Sequence, residues 1–160
     1  MKTRKLFDVE IVRLCPSDPG REAREILGST GAGHFWRERG FLGADLSLDD
    51  AMRLNDIIGR AGGAGLVVPS EYREPLVSLD SARQVAAQRY QEIRVERGDI
   101  FGPLEDGREQ SMWWRFFAEN RPAQAEGREP GCIYIDVDKI DGHVKTQEDV
   151  SEYASWQRRG

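Results

Sequence analysis

Gly131-Cys132-Ile133-Tyr134-Ile135-Asp136-Val137-Asp138-Lys139-Ile140-Asp141-Gly142-His143-Val144 is the stretch that decides the fold. An apolar strand over 132–138 runs into a turn at Asp141-Gly142, and a short strand leaves it over 143–145. Asp-Gly accepts the positive φ angles of a tight turn, so the two strands meet there. Upstream, Ser111-Met112-Trp113-Trp114-Arg115-Phe116-Phe117-Ala118 reads as a second strand. Residues 98–104 read as a further strand, before a turn at Glu105-Asp106-Gly107. Ser78 caps a helix over 79–94 whose inner stripe is Leu79, Ala82, Val85, Ala86, Tyr90 and Ile93. Downstream, Thr146 with Asp149 signals the start of a closing helix, its apolar side formed by Val150, Tyr153 and Ala154. Residues 78–160 therefore predict an α+β lobe, an antiparallel sheet of about four strands flanked by an N-terminal and a C-terminal helix.

The aromatic strand has two faces. A period of two sends Trp114 and Phe116 one way and Trp113, Arg115 and Phe117 the other. A central strand between two packed layers would carry such a sequence. The second face also offers a partner-binding patch, because tryptophan and arginine are enriched at binding hot spots.

Residues 1–70 predict a separate small α+β lobe in the order strand, helix, loop, helix, strand. Phe7, Val9 and Ile11 alternate with Asp8 and Glu10, the pattern of a half-buried strand. Asp18-Pro19 suits a helix start that continues to Leu27, and Gly28, Gly31 and Gly33 end it. The loop that follows contains His34, Phe35 and Trp36. Ser47 opens a second helix with Asp50 in the capping-box position, and Leu48, Ala51, Leu54 and Ile58 form its stripe. Gly62-Gly63 stops that helix, and 64–68 reads as a short buried strand. Pro69 and Pro75, with Glu71, Arg73 and Glu74 between them, mark a linker over 71–77. Two small lobes packed together result.

The 160 residues suffice for a real core, with 39% hydrophobic and 32% charged residues. No apolar run approaches the ~20 residues of a membrane span, and the basic start Met1-Lys2-Thr3-Arg4-Lys5 leads into acids rather than an apolar segment. No membrane association and a cytoplasmic location are expected. Net charge is −5, concentrated late: residues 76–160 hold 12 Lys+Arg against 16 Asp+Glu, a net of −4. That balance argues against a nucleic-acid footprint and suits a basic protein partner. Cys15 and Cys132 fall in different lobes and are expected as free thiols.

Signatures of catalysis fail on spacing. Asp136, Asp138 and Asp141 do not match a calcium loop, since Ile140 and Asp141 stand where a ligand and a glycine belong. The run over 28–33 has the glycines of a phosphate loop without the Gly-Lys-Ser/Thr that completes one. His34 and His143 make no zinc spacing with the cysteines. The expectation is a non-enzyme with no metal and no cofactor.

Residues 77–156 resemble the immunity protein 35 family, small α+β proteins encoded beside bacterial polymorphic toxins. The resemblance lies in Leu79-Asp80-Ser81-Ala82, in Trp114-Arg115-Phe116-Phe117, in the strand from Gly131 to Val137, in Asp141-Gly142 with Val144, and in Glu148-Asp149-Val150-Ser151-Glu152-Tyr153. Residues 1–70 are more loosely similar, in element order, to the C-terminal domain of the ribosomal stalk protein. The first resemblance implies a bacterial immunity protein that binds and neutralises a cognate toxin by covering its active site or an essential surface. The expected contacts are Trp113 and Arg115 as anchors, with Asp138, Asp141, Glu148 and Glu152 complementing a basic toxin. A second class stays open: a small-molecule-binding or regulatory module whose sheet lines an apolar pocket containing Trp114 and Tyr134.

Overall fold

The computed structural model describes residues 5–28 and 35–157. The rest of the glycine-rich run, 29–33, and His34 lie outside the described residues. In chain order the elements are β1 (Phe7–Arg13), α1 (Arg21–Leu27), β2 (Gly40–Leu46), α2 (Leu48–Arg60), β3 (Ala64–Pro69), α3 (Leu79–Arg97), β4 (Glu105–Asp106), β5 (Trp113–Glu119), α4 (Arg121–Ala125), β6 (Cys132–Asp138) and α5 (Gln147–Gln157). Short 3₁₀ turns occupy Phe35–Arg37 and Ser70–Arg73. The class is α+β, with two antiparallel three-stranded sheets in the orders β2-β1-β3 and β4-β5-β6. The chain divides into one unit of residues 1–73 with 148–160, and another of residues 74–147.

In the first unit β1 is the central strand, and Phe7, Val9 and Ile11 are buried as their alternation requires. Asp8, expected on the wet face, is completely buried. Its carboxylate accepts the main-chain N–H groups of Ala44 (3.0 Å) and Asp45 (3.2 Å) and the Ser70 hydroxyl (3.1 Å). Arg73 grips it with Nε and with Nη2, the latter at 2.6 Å, and reaches Asp45 at 2.8 Å. A buried carboxylate needs donors of this kind, because losing water without replacing its hydrogen bonds costs several kcal/mol, roughly. The β1–β2 register shifts between Phe7 and Val9, and Asp45 takes a φ of 48°, so the backbone of β2 turns two N–H groups toward Asp8. α2 packs on the sheet through Ala51, Leu54, Ile57 and Ile58, and Ser47 caps it by accepting the Asp50 N–H.

α5 belongs to this first unit, and not to the second lobe expected over 78–160. Trp156 meets Phe7 edge to face at 5.4 Å, and the Gln157 amide both donates to the Val67 carbonyl (2.8 Å) and accepts its N–H (2.9 Å). The apolar stripe seen in sequence ended at Ala154. The anchoring side chains lie one turn later.

The second unit is built on α3. Ala82 and Ala86 are fully buried and give a narrow face on which Phe116, Ala118, Ile135 and Val137 pack. Tyr90 joins that core and donates its hydroxyl to the Gly102 carbonyl. Three expectations change here. Residues 98–104 contribute only a single bridge, Phe101 to Asn120, and the edge strand is the two-residue β4. The strand after the Asp-Gly turn shrinks to a bridge between Val137 and Val144, leaving three strands rather than four. Residues 121–129, polar and proline-flanked, suggest a loop by composition, but they begin as α4, because the Asn120 side chain caps it and Pro122 sits at its start. Within 71–77, Arg73 is bound to Asp8 in the first unit, and in the second the N–H groups of Leu76 and Val77 both donate to the Lys139 carbonyl at 2.9 Å.

Removing Arg73 leaves the buried Asp8 charge without its cation. Arg73→Ala should destabilise the first unit by about 3 kcal/mol, at the lower end for a broken buried pair because Arg73 is itself partly exposed. Urea unfolding measured alongside the exposed-pair variant Arg21→Ala checks it; equal midpoints would contradict the role given to Asp8.

Burial, reinforced by the charge of Glu10, pushes the Tyr153 hydroxyl up from 10.0 to about 12. The folded state therefore holds this proton more tightly than the unfolded chain. The associated stability is complete below pH 10.0 and lost as pH rises through about 12. Tyr153→Phe should flatten the alkaline fall in melting temperature across that window.

Candidate functional site

Register determines what the second sheet shows on each side. β5 and β6 pair Trp113 with Asp138, Arg115 with Asp136, Phe117 with Tyr134 and Glu119 with Cys132. These residues share the face opposite α3. Among them Tyr134 is the most exposed aromatic, at 56%. Phe117 is half-buried beside it.

Arg115 lies at the centre of this face. Its Nε and Nη2 each donate to one oxygen of Asp136 at 2.9 Å, a bidentate pair across the strands. That hydrogen bonding, with the Asp136 charge, raises the guanidinium above its usual value despite burial. The Tyr134 ring stacks on the guanidinium 4.5 Å away. Lys145 adds a second cation to Asp136 at 3.4 Å and lies 5.4 Å from the Trp113 ring. A hydrogen bond with the Cys132 side chain raises the phenol of Tyr134. The outcome is an aromatic platform braced by ion pairs, with one ring presented outward.

The expected site residues divide between the two units and differ in exposure. Trp113 is 4% exposed, under the edge of the His143 ring at 5.6 Å, so it is a packed residue and not an outward anchor. Arg115 is on the platform but already paired. Asp138 is buried and accepts the N–H groups of Ile140 (2.7 Å) and Asp141 (3.0 Å), which shapes the turn. Gly142 takes a φ of 75° there, as the Asp-Gly signal required. Asp141 is bound by the main chain and the ring of His143. Burial would raise its carboxyl, but the hydrogen bonds and charge of His143 outweigh that and hold it below the ordinary value. Glu148 and Glu152 lie on α5, in the first unit, where Glu152 pairs with Lys5 at 3.7 Å.

Asp138, Asp141 and His143 bring ligand atoms within 4.8 Å of one another, a constellation the sequence spacing did not suggest. Their hydrogen bonds serve the turn itself. The expected apolar pocket also takes a different form: Trp114 faces α3 and donates its indole N–H to Val77 at 2.8 Å, whereas Tyr134 points to the opposite face. The two rings therefore line no common cavity. The first unit carries a cleft of about 470 Å³ beside Cys15, Pro16, Asp18 and Trp36. Cys15 and Cys132 are free thiols, and burial raises that of Cys15. Among the described residues no helix is long and apolar enough to cross a membrane.

Sequence reasoning passed over Tyr134 as a contact residue. The signal was present: Cys132, Tyr134, Asp136 and Asp138 alternate with Ile133, Ile135 and Val137, which separates a polar face from a core face. No family model, curated protein or solved structure matches this chain.

If the platform depends on the ion pair, Arg115→Met should cost about 3 kcal/mol, since Asp136 keeps only the longer contact to Lys145. Adding Asp136→Asn should recover part of that loss. A coupling energy near zero in the double-mutant cycle would show that the pair does not hold the sheet face together.

Proposed function

We propose that this chain works by binding another protein, and that its partner is a bacterial toxin which it neutralises by steric cover, without catalysis or cofactor. The observation that carries the binding reading is the exposed Tyr134 ring, stacked on a fixed Arg115 beside half-buried Phe117. A tyrosine presented this way supplies contact area with little side-chain entropy left to lose. The identity of the partner rests on the resemblance of residues 77–156 to the immunity protein 35 family. Its closing segment, Glu148 to Tyr153, lies on α5 in the first unit, so the second unit carries only part of the resemblance.

In this reading Tyr134 and Phe117 take the anchoring role first given to Trp113, and Arg115 orients the ring. Unit 74–147 holds 10 Lys+Arg against 14 Asp+Glu, a net of −4, which favours a basic partner surface. A cytoplasmic site of action follows if the toxin acts inside the cell.

The test is binding kinetics against the product of the neighbouring gene, with growth rescue as the cellular readout. Tyr134→Ala should speed dissociation at least tenfold, about 1.4 kcal/mol or more, with a small effect on association. Raising salt should slow association of the wild type as the Debye length falls to ~8 Å near physiological ionic strength. A wild-type dissociation rate in Tyr134→Ala would place the interface elsewhere, and absence of binding by the wild type would remove the toxin reading.

A further inference from the structure

Two three-stranded sheets have four edges, and three of them are blunted. The β2 edge is broken by the register shift opposite Asp8 and by the left-handed Asp45. On β3, Gln157 occupies both main-chain groups of Val67. β4 is two residues long. Bulges, side-chain cover and short strands are the usual ways a protein prevents edge pairing.

The β6 edge has less protection. The bonds from Asn120 N–H to the Gly131 carbonyl and from Lys139 N–H to the Met112 carbonyl fix the phase of the β5–β6 ladder. Residues 133, 135 and 137 therefore bond to β5, while 132, 134, 136 and 138 direct their main-chain groups outward. Outward partners exist only at one end: the Asp138 N–H donates to His143 and the Asp136 carbonyl accepts from Lys145, both at 2.8 Å. Among the described residues nothing bonds to the outward main-chain groups of Cys132 and Tyr134 or to the Asp136 N–H. Tyr134 is also the most exposed residue of the strand.

We infer that the Cys132–Asp136 edge of β6 receives an extended, basic segment of the partner protein as an added strand, continuing the pairing that residues 143–145 begin. This rests on the reading that the second unit binds a protein. Strand addition uses main-chain bonds for affinity and alternate side chains for choice of partner. A guest residue opposite Tyr134 would lie beside its ring, and the guest's neighbours would lie beside Ile133 and Ile135. Charge decides the chemistry of the segment. Arg115 and Lys145 are already bound to Asp136, and unit 74–147 carries 14 Asp+Glu against 10 Lys+Arg, so the edge favours a basic guest.

The probe is a ten-residue peptide alternating lysine with valine, added to the full chain and followed by amide hydrogen exchange. Saturating peptide should slow exchange at Tyr134 and Asp136 at least tenfold. A glutamate-valine twin and a twin N-methylated on its bonding edge should not. Tyr134→Pro removes an outward N–H that the fold does not use, and should weaken peptide binding at least tenfold. Tyr134→Ala keeps that N–H and should weaken it less. Should the proline variant lose its fold by near-UV circular dichroism, the N-methylated peptide on the wild type decides alone. Protection confined to other segments, or equal protection by the glutamate twin, overturns the inference. Concentration-dependent protection without peptide, with dimers in sedimentation, would give the edge to a second copy and also overturn it. The toxin reading fails separately: a peptide-protected edge in a protein that binds no toxin leaves the inference standing, whereas toxin binding unchanged in a folded Tyr134→Pro removes the edge as the contact.

Discussion

A carboxylate taken out of water must be given donors, and the first unit is arranged around one such group. Asp8, the second residue of the central strand, has no exposed surface. Meeting its needs ties together three segments: its own strand, the bulged part of β2, and the Ser70–Arg73 turn, which supplies both the Ser70 hydroxyl and the Arg73 guanidinium. The left-handed backbone at Asp45 is explained by this demand. Without the bulge, only one N–H of β2 could face the carboxylate, and the strand would have no reason to leave its register. Such an arrangement adds little net stability over an apolar equivalent, yet it penalises any other register heavily.

The second unit repeats the device with Asp136 and Asp138, which are 5% and 2% exposed. Asp136 takes Arg115 and Lys145, and Asp138 takes the turn's main-chain N–H groups. The first set of bonds flattens a long cation onto the sheet, and the second fixes the turn that brings His143 and Lys145 over Trp113. Trp113 is thereby covered and Tyr134 left outside. The same ion pairs that hold the sheet thus select which aromatic ring a partner can reach.

Much of this architecture was legible locally. Ser47 and Ser78 cap the helices they were expected to cap, both by accepting the N–H three residues on. Asp141-Gly142 makes the turn, and β1, β3 and β6 follow their apolar runs. What escaped notice depended on distant partners. The stretch before Ser47 reads as loop in sequence, yet it contains β2, whose bulged backbone is held by Asp8, some 36 residues earlier in sequence. Asp8 itself looked solvated, since alternation cannot show that a turn from 70–73 will cover the second face. Chain order assigns α5 to the second lobe, whereas Trp156 and Gln157 dock it within the first unit. At the candidate site, composition drew attention to the tryptophans, whereas exposure depended on which ring the His143 turn would cover.

The placement of charge then separates affinity from encounter. Arg115 and Lys145 are neutralised within the fold, so they serve orientation and packing more than attraction. The acidic excess of residues 74–147 is spread over exposed groups such as Glu96 and Glu105, which can act at a distance without being desolvated. Tyr134 contributes differently. Its ring is backed by a guanidinium that is itself pinned at two oxygens, so burying the ring against a partner orders almost nothing that is not already ordered. Weakening the Arg115–Asp136 pair would leave the ring's surface area unchanged while freeing its motion. The entropy of that motion would then be lost on binding. A platform of this kind gains specificity from the stiffness of its support, and that stiffness originates in the buried aspartate beneath it.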